Sequence, residues 1–244
     1  VSPSKEIQSE RIKTLYKIGS SCKKIIITSV NAIIQKTINN DFLKKNCIEI
    51  YQNQNLNFNE FILTLTSLGY ERNSVVRDKT EFSVRGSIID IFIVDQKNPI
   101  RIDFFDNKIE SIYVFDHISQ KRIKKINDKK IFIYTSAELL LNEDSIGLFR
   151  KNFRKSFENY RSSQIYHSFT NGLLPAGGEQ FLPFFIEEMV SFFSFLNNET
   201  IILNSQFFNL LDLRIENIFD FYNARKGLSE NFFLEPKNLY LTKE

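Results

Sequence analysis

The chain contains no tryptophan, one methionine and only two cysteines, Cys22 and Cys47, among 244 residues. So few cysteines exclude a disulfide-built scaffold, and two histidines leave no Cys/His set for zinc. Glycine (8) and proline (5) are also scarce. No G-x-x-x-x-G-K-[ST] or G-x-G-x-x-G pattern occurs, so the loop that cradles nucleotide phosphates is missing. The Gly177-Gly178 pair is followed by Glu179, whose charge would repel a phosphate. No apolar run reaches the roughly 20 residues of a membrane span. The best stretch, Phe181 to Leu196, is interrupted by Glu187 and Glu188. Lys+Arg 32 against Asp+Glu 29 leaves a net charge of +3, too small to mark a nucleic-acid binder by itself. Together these features predict a reduced, cytoplasmic protein with no membrane partner. A start at Val1 without a signal segment is read as a piece cut from a longer chain.

What is abundant is apolar and aromatic. The sequence is 42% hydrophobic with 25 phenylalanines, ample for a large core. In residues 1–46, Ile12, Leu15 and Tyr16 fall at helical spacing. Lys24-Ile25-Ile26-Ile27-Thr28 predicts a strand buried on both faces, followed by a helix capped at Ser29 and bearing Val30, Ile33 and Ile34. Such a unit belongs in a parallel sheet whose partner strands would lie either outside this segment or further along it.

Residues 47–129 change character. A helix is expected over 60–68, then a strand from Glu81 to Phe92 that begins with strict alternation. After a turn at Asp95 and Pro99, strands follow at 100–105 and 109–115, joined by a turn at Asp106-Asn107-Lys108. This predicts an antiparallel meander covered by a helix on one face. Residues 130–244 return to helices: one after Asn142 with a stripe of Ile146, Phe149, Phe153 and Phe157, and one over 207–222. Thr200 to Leu203 between them reads as a second buried strand. The order suggests a β-rich domain inserted into an α/β one.

Catalytic groups have no evident home. His117 and His167 lie far apart and away from any nucleophile. The carboxylate pairs Glu143/Asp144 and Glu187/Glu188 are sequence neighbours, which do not share a helix face. Two basic groups, Lys121 to Lys125 with Lys129-Lys130, and Arg150-Lys151 with Arg154-Lys155, fit solvated faces better than a phosphate-binding stripe.

The meander holds an anomaly. Alternation puts Ile100, Ile102 and Phe104 on one face and Arg101, Asp103 and Phe105 on the other. If the strand carrying Arg85 pairs with this one, Arg85, Arg101 and Phe105 share an exposed patch, the composition enriched at protein-binding hot spots. The alternative is that Phe105 packs beneath a loop while both arginines form local ion pairs. Pattern alone leaves the two open.

The segments Glu81-Phe82-Ser83-Val84-Arg85-Gly86-Ser87-Ile88-Ile89-Asp90-Ile91-Phe92 and Pro99-Ile100-Arg101-Ile102-Asp103-Phe104-Phe105-Asp106-Asn107-Lys108-Ile109-Glu110-Ser111-Ile112 resemble the UvrB-like module of bacterial nucleotide-excision repair. Ser2 to Ile7 leading into Ser9-Glu10-Arg11, Leu148-Phe149-Arg150, and Gly172-Leu173-Leu174-Pro175-Ala176-Gly177 with Leu182-Pro183-Phe184-Phe185 resemble the transcription-repair coupling factor (Mfd) form of it. The similarity runs from residue 2 to about 205. Thr80, Ile93 and Gly178 depart from it, standing where the family usually has glycine, proline and an aliphatic residue.

The resemblance implies an α/β, degenerate helicase-like scaffold of P-loop type without a Walker A motif. Residues 1–46 and 130–244 would form it, and 47–129 an inserted α+β domain that docks UvrA. It implies UvrA contacts at Arg85, Arg101 and Phe105. It also implies no catalysis and no cofactor in this segment, with ATP and magnesium serving a parent ATP-dependent DNA translocase. RNA polymerase and double-stranded DNA would meet other domains of that parent. The competing expectation is a DNA-binding piece of a UvrB-type protein, although no aromatic-rich β-hairpin of the UvrB kind is found.

Overall fold

The computed structural model describes residues 4–19, 23–94, 96–127, 129–197, 199–226 and 232–242. Cys22 and Asp95, named above, lie outside them, as do Ser2 and Pro3. The elements in chain order are α1 (Lys5–Gly19), α2 (Val30–Ile33), β1 (Thr37–Ile38), α3 (Asn40–Lys45), β2 (Cys47–Ile50), α4 (Phe58–Ser67) and β3 (Glu71–Arg72). The strands β4 (Glu81–Arg85), β5 (Ile88–Ile91), β6 (Ile100–Phe105), β7 (Lys108–Phe115), β8 (Arg122–Ile126) and β9 (Ile131–Tyr134) follow. The chain continues through α5 (Glu143–Ser156), α6 (Gln164–Thr170), β10 (Met189–Val190), α7 (Phe207–Lys226) and α8 (Pro236–Leu239). It divides into two compact units: residues 3–16 with 41–140, and residues 1–2, 17–40 and 141–244.

The first of these units is a six-stranded sheet, β3-β4-β5-β6-β7-β8, antiparallel throughout except for the parallel β3–β4 pair. Its buried face follows from alternation. Phe82, Ile89, Ile91, Ile100, Ile102, Phe104, Ile109 and Ile112 form one core with Phe61 and Leu65 of α4. A β-bulge between β6 and β7 sets Asp103 opposite Ser111 but Phe104 opposite Ile109, which turns both Ile109 and Ile112 inward. The short β2–β9 pair adds Ile50, Ile131 and Ile133 to the same core. The edges are modest. Strand β3 has two residues, and β8 is exposed at Arg122, Ile123, Lys124 and Lys125. Arg122 to Lys125 of that basic group therefore lie on an edge strand, which the sequence pattern did not reveal.

Helix α4 shows how local chemistry fixes this unit. The Asn57 side chain caps it by accepting from the backbone N–H groups of Asn59 and Glu60, both at 3.0 Å. It ends at Gly69 (φ +84°), where Gly69 N–H donates to Thr66 C=O and Tyr70 N–H to Leu65 C=O, a Schellman closure. A Cβ at Gly69 would lie 2.4 Å from Ser136 Oγ. Gly69→Ala is therefore expected to destabilise the protein by about 2 kcal/mol, from left-handed strain plus displacement of Ser136. Urea denaturation with an unchanged midpoint would contradict this.

The second unit is built on aromatic rings. Asn142 and Ser145 form a reciprocal capping box at the start of α5. That helix buries Phe149 and Phe153 completely. Phe149 lies 4.6 Å from Phe185 and 4.8 Å from Phe169 between ring centroids. A Cβ at Gly178 would fall 2.7 Å from Phe169 Cζ and 2.9 Å from Leu174 Cδ1. An aliphatic side chain at 178 has no room once Phe169 occupies the space. Separately, Ile33 of α2 and its C-cap Ile34 pack with Ile218 of α7.

Two expectations fail in this unit. Residues 24–28 form no strand, and Ile25 and Ile27 are 92% and 93% exposed. Residues 200–203 form none either, with Ile202 at 91%. Both runs have strand-forming side chains, but no described segment lies alongside to accept their backbone hydrogen bonds. Within this unit the one strand pairing among the described residues is the antiparallel β1–β10 contact, so the anticipated parallel sheet is not formed there. Helices α1 and α4, the cap at Asn142 and the start of α7 agree with the periodicity, whereas α2 is a single turn whose Ser29 makes no side-chain cap bond.

Candidate docking face

The sheet face turned away from α4 carries polar rows. Ser83, Asp90, Arg101 and Tyr113 lie opposite one another across β4 to β7. The next row is Arg85, Ile88, Asp103 and Ser111, and the last pairs Phe105 with Lys108. The strands bearing Arg85 and Arg101 do not pair directly, contrary to the expectation. Gly86 (φ +59°) and Ser87 turn the chain, and β5 lies between them.

Asp90 on that intervening strand joins the two cations. Its carboxylate, 1% exposed, accepts from Arg101 Nε at 2.7 Å and Nη2 at 2.9 Å, and from Arg85 Nη2 at 2.5 Å. A buried charge is tolerated only when paired in this way. Sequence reasoning missed Asp90, though a lone aspartate between Ile89 and Ile91 on a buried strand was the available signal. The guanidinium of Arg101 also sits 4.6 Å above the Phe115 ring, and its Nη1 reaches Gln120 C=O at 3.4 Å. Hydrogen bonding to Asp90 raises the Arg101 pKa, reinforced by the charges of Asp90 and Asp103 and opposed by burial. Arg101 is a fixed cation with 12% of its side chain exposed, whereas Arg85 shows 46%.

Phe105 stands free, 71% exposed. Its neighbour Phe104 turns inward and meets Phe58 edge-on at 5.1 Å. The hairpin tip beyond it is held firmly. Leu56 N–H donates to Asn107 C=O at 2.7 Å, Phe58 N–H to Asn107 Oδ1 at 3.2 Å, and Asn53 N–H to Ile109 C=O at 2.8 Å. An exposed ring on a rigid turn loses little freedom on binding. All three predicted residues therefore share one face. Both readings of the pattern hold in part, since the arginines make local ion pairs while the ring does not pack under a loop.

The other candidates remain apart. The His117 ring lies 5.7 Å from Phe92, and His167 Nε2 is 2.8 Å from Arg161 C=O. Arg150 Nη2 donates to Thr170 C=O at 3.0 Å and Arg154 Nε to Tyr166 Oη at 2.7 Å, which removes half of the α5 basic group from solvent duty. The described residues hold no group of three or more His, Cys, Asp or Glu placed to bind a metal. They do not fit a nucleotide at the double glycine either. Gly177–Gly178 opens a 3-10 helix with Glu179 in its first turn, and the backbone of Gly178 is packed against Phe169 and Leu174. No described helix is long and apolar enough to cross a membrane.

Thr80, where the resembled family usually has glycine, has φ +69° and is 3% exposed. The position demands the left-handed backbone that glycine adopts freely. Its N–H and C=O are bound by Phe92 C=O and Glu71 N–H at 2.9 and 2.8 Å, which hold it there.

Comparison with known proteins locates this face within a family. Residues 48–137 match the UvrB interaction domain family, a span inside the unit that carries the face. The transcription-repair-coupling factor of Escherichia coli (strain K12) is 32% identical over 206 residues, covering 84% of this chain and 18% of that protein. That of Rickettsia prowazekii (strain Madrid E) is 33% identical over 250 residues, covering 99% of this chain and 22% of that protein. That of Staphylococcus aureus (strain MW2) is 32% identical over 158 residues, covering 65% of this chain and 13% of that protein. The chain thus spans about a fifth of the length of the first two relatives. Over the residues it covers, it belongs to the transcription-repair coupling factor family and carries a UvrB interaction domain.

Proposed function

We propose that the chain is an adaptor that binds UvrA and brings it to lesions where RNA polymerase has stalled. The observation that carries this reading is the 71%-exposed Phe105 ring on the same sheet face as the Asp90-linked Arg85 and Arg101. An exposed aromatic anchor that shares a face with oriented arginines has the composition of a protein-binding hot spot. In this reading Phe105 fills an apolar pocket of UvrA, Arg85 pairs with a carboxylate there, and Arg101 adds its exposed edge to the contact. The second unit serves as part of a helicase-like scaffold that does not bind nucleotide. ATP and magnesium, the translocase activity, RNA polymerase and double-stranded DNA belong to other parts of a parent cytoplasmic protein.

Calorimetric titration of UvrA with this chain is the direct test. Saturable binding is expected, with Arg85→Ala weakening it about fivefold through loss of a rim charge. Absence of binding by the folded chain would defeat the proposal, as would ATP turnover by the purified chain defeat the assignment of catalysis elsewhere. DNA binding through residues 121–125 is the weaker alternative. Arg122 there is engaged by Asp103. Lys124 and Lys125 stand opposite Val114 and Tyr113, on opposite faces of the sheet, so they form no single phosphate-facing stripe.

A further inference from the structure

The open face contains a second arginine clamp. Arg122 of β8 donates through Nη2 to Asp103 Oδ1 at 3.1 Å and Oδ2 at 2.8 Å. Asp103 also accepts from the Ser111 hydroxyl at 2.9 Å. The Arg122 guanidinium lies 4.1 Å from the centre of the Tyr113 ring. This repeats the arrangement of Asp90, Arg101 and Phe115 one row nearer to Phe105, with one difference that matters. Arg101 uses Nε, Nη1 and Nη2 within the molecule and exposes 12% of its side chain. Arg122 uses Nη2 alone among the described residues and exposes 43%. Its Nε and Nη1 hydrogens remain to be donated outward.

Charge on this face is therefore layered. The carboxylates of Asp90 and Asp103 lie beneath, 1% and 17% exposed, and the guanidinium groups of Arg85 and Arg122 lie above, 46% and 43% exposed. A partner meets cations first. A guanidinium already clamped and stacked loses little conformational entropy on making a further bidentate bond to a carboxylate.

We propose that Arg122, stacked on Tyr113 and clamped by Asp103, is a further docking residue that receives a carboxylate from an acidic segment of the partner bound by the Phe105 face. In this division Arg85 and Arg122 are the contact cations, and Arg101 chiefly positions Asp90. The inference rests on the reading of that face as the UvrA-docking surface, and its experiment separates the two.

The test is the affinity of the 244-residue chain for UvrA at two salt concentrations, for Arg122→Gln, Arg122→Lys, Lys124→Gln and Phe105→Ala. Arg122→Gln is expected to weaken binding about fivefold and to flatten its salt dependence. Arg122→Lys keeps a charge for Asp103 but lacks the planar fork, so it should melt like the parent and bind about two- to threefold more weakly. Lys124→Gln removes the same charge from the other face and should bind like the parent. Unchanged affinity in Arg122→Gln and Arg122→Lys, with binding lost in Phe105→Ala, overturns the role of Arg122 and leaves the docking reading standing. Unchanged affinity in Phe105→Ala overturns the docking reading itself. Equal losses in Lys124→Gln and Arg122→Gln overturn the inference in favour of bulk charge. If Arg122→Gln fails to fold, parental affinity in Arg122→Lys suffices to overturn it.

Discussion

Phe105→Ala is expected to lower affinity for UvrA at least tenfold while leaving the melting temperature of the chain unchanged. The two halves of this result come from one fact, the 71% exposure of the ring. A side chain largely in water contributes little apolar burial to folding, so truncating it leaves no cavity. In the proposed complex the same ring is the apolar centre of the interface, where truncation of an aromatic anchor commonly costs about 2 kcal/mol or more. Its backbone does not depend on the ring, because Asn107 and Ile109 are tied to Leu56, Phe58 and Asn53 by main-chain and amide hydrogen bonds. Paired titration calorimetry and thermal melting would check both halves. Parental affinity, or a melting temperature that falls along with affinity, would each count against an exposed anchor.

The largest loss of stability on this face is expected from Asp90→Ala. Asp90 is the counter-charge of Arg101, whose side chain is 12% exposed and cannot recover full hydration where it lies. Breaking such a buried pair from one side typically costs about 3–5 kcal/mol, because the remaining charge is stranded. In a unit of this size that corresponds to a fall of about 10 °C or more in melting temperature. The bond to Arg85 adds little to this figure, since Arg85 is 46% exposed and well screened. The Asp90→Leu/Arg101→Met double substitution is expected to regain most of the loss by replacing the ion pair with apolar packing. Thermal melting checks both variants. An Asp90→Ala variant that melts like the parent would show that Arg101 does not need its partner.

How far the residues themselves disclosed this arrangement varied with burial. Strands β6 and β7 were readable because one face is dry and the other wet, so Ile100, Ile102 and Phe104 alternate with Arg101, Asp103 and Phe105. The placement of Phe105 followed from that period alone. Alternation alone carries Gly86 into one continuous strand from Glu81, although its φ of +59° makes it part of the turn that inserts β5 between Arg85 and Arg101. Asp90 escaped notice because its partners are supplied by other strands, and pairing across a sheet is not written in local sequence. Strand β8 escaped because Arg122-Ile123-Lys124-Lys125-Ile126, exposed over its first four residues, shows no period-two alternation. Ile25 to Ile27 and Thr200 to Leu203 misled in the opposite sense. Their side chains favour extended backbone, but a strand needs a neighbour, and no composition supplies one.

The lysine-rich outer strand has a consequence for handling and for crowding. A sheet that ends in an unpaired ladder invites a second copy to add to it and so to polymerise. Here one margin offers just Glu71 and Arg72, and the other presents Arg122, Lys124 and Lys125. Two copies of the basic margin brought together would repel, and the other margin is only two residues long, so concentrated solutions of the molecule should resist fibre growth.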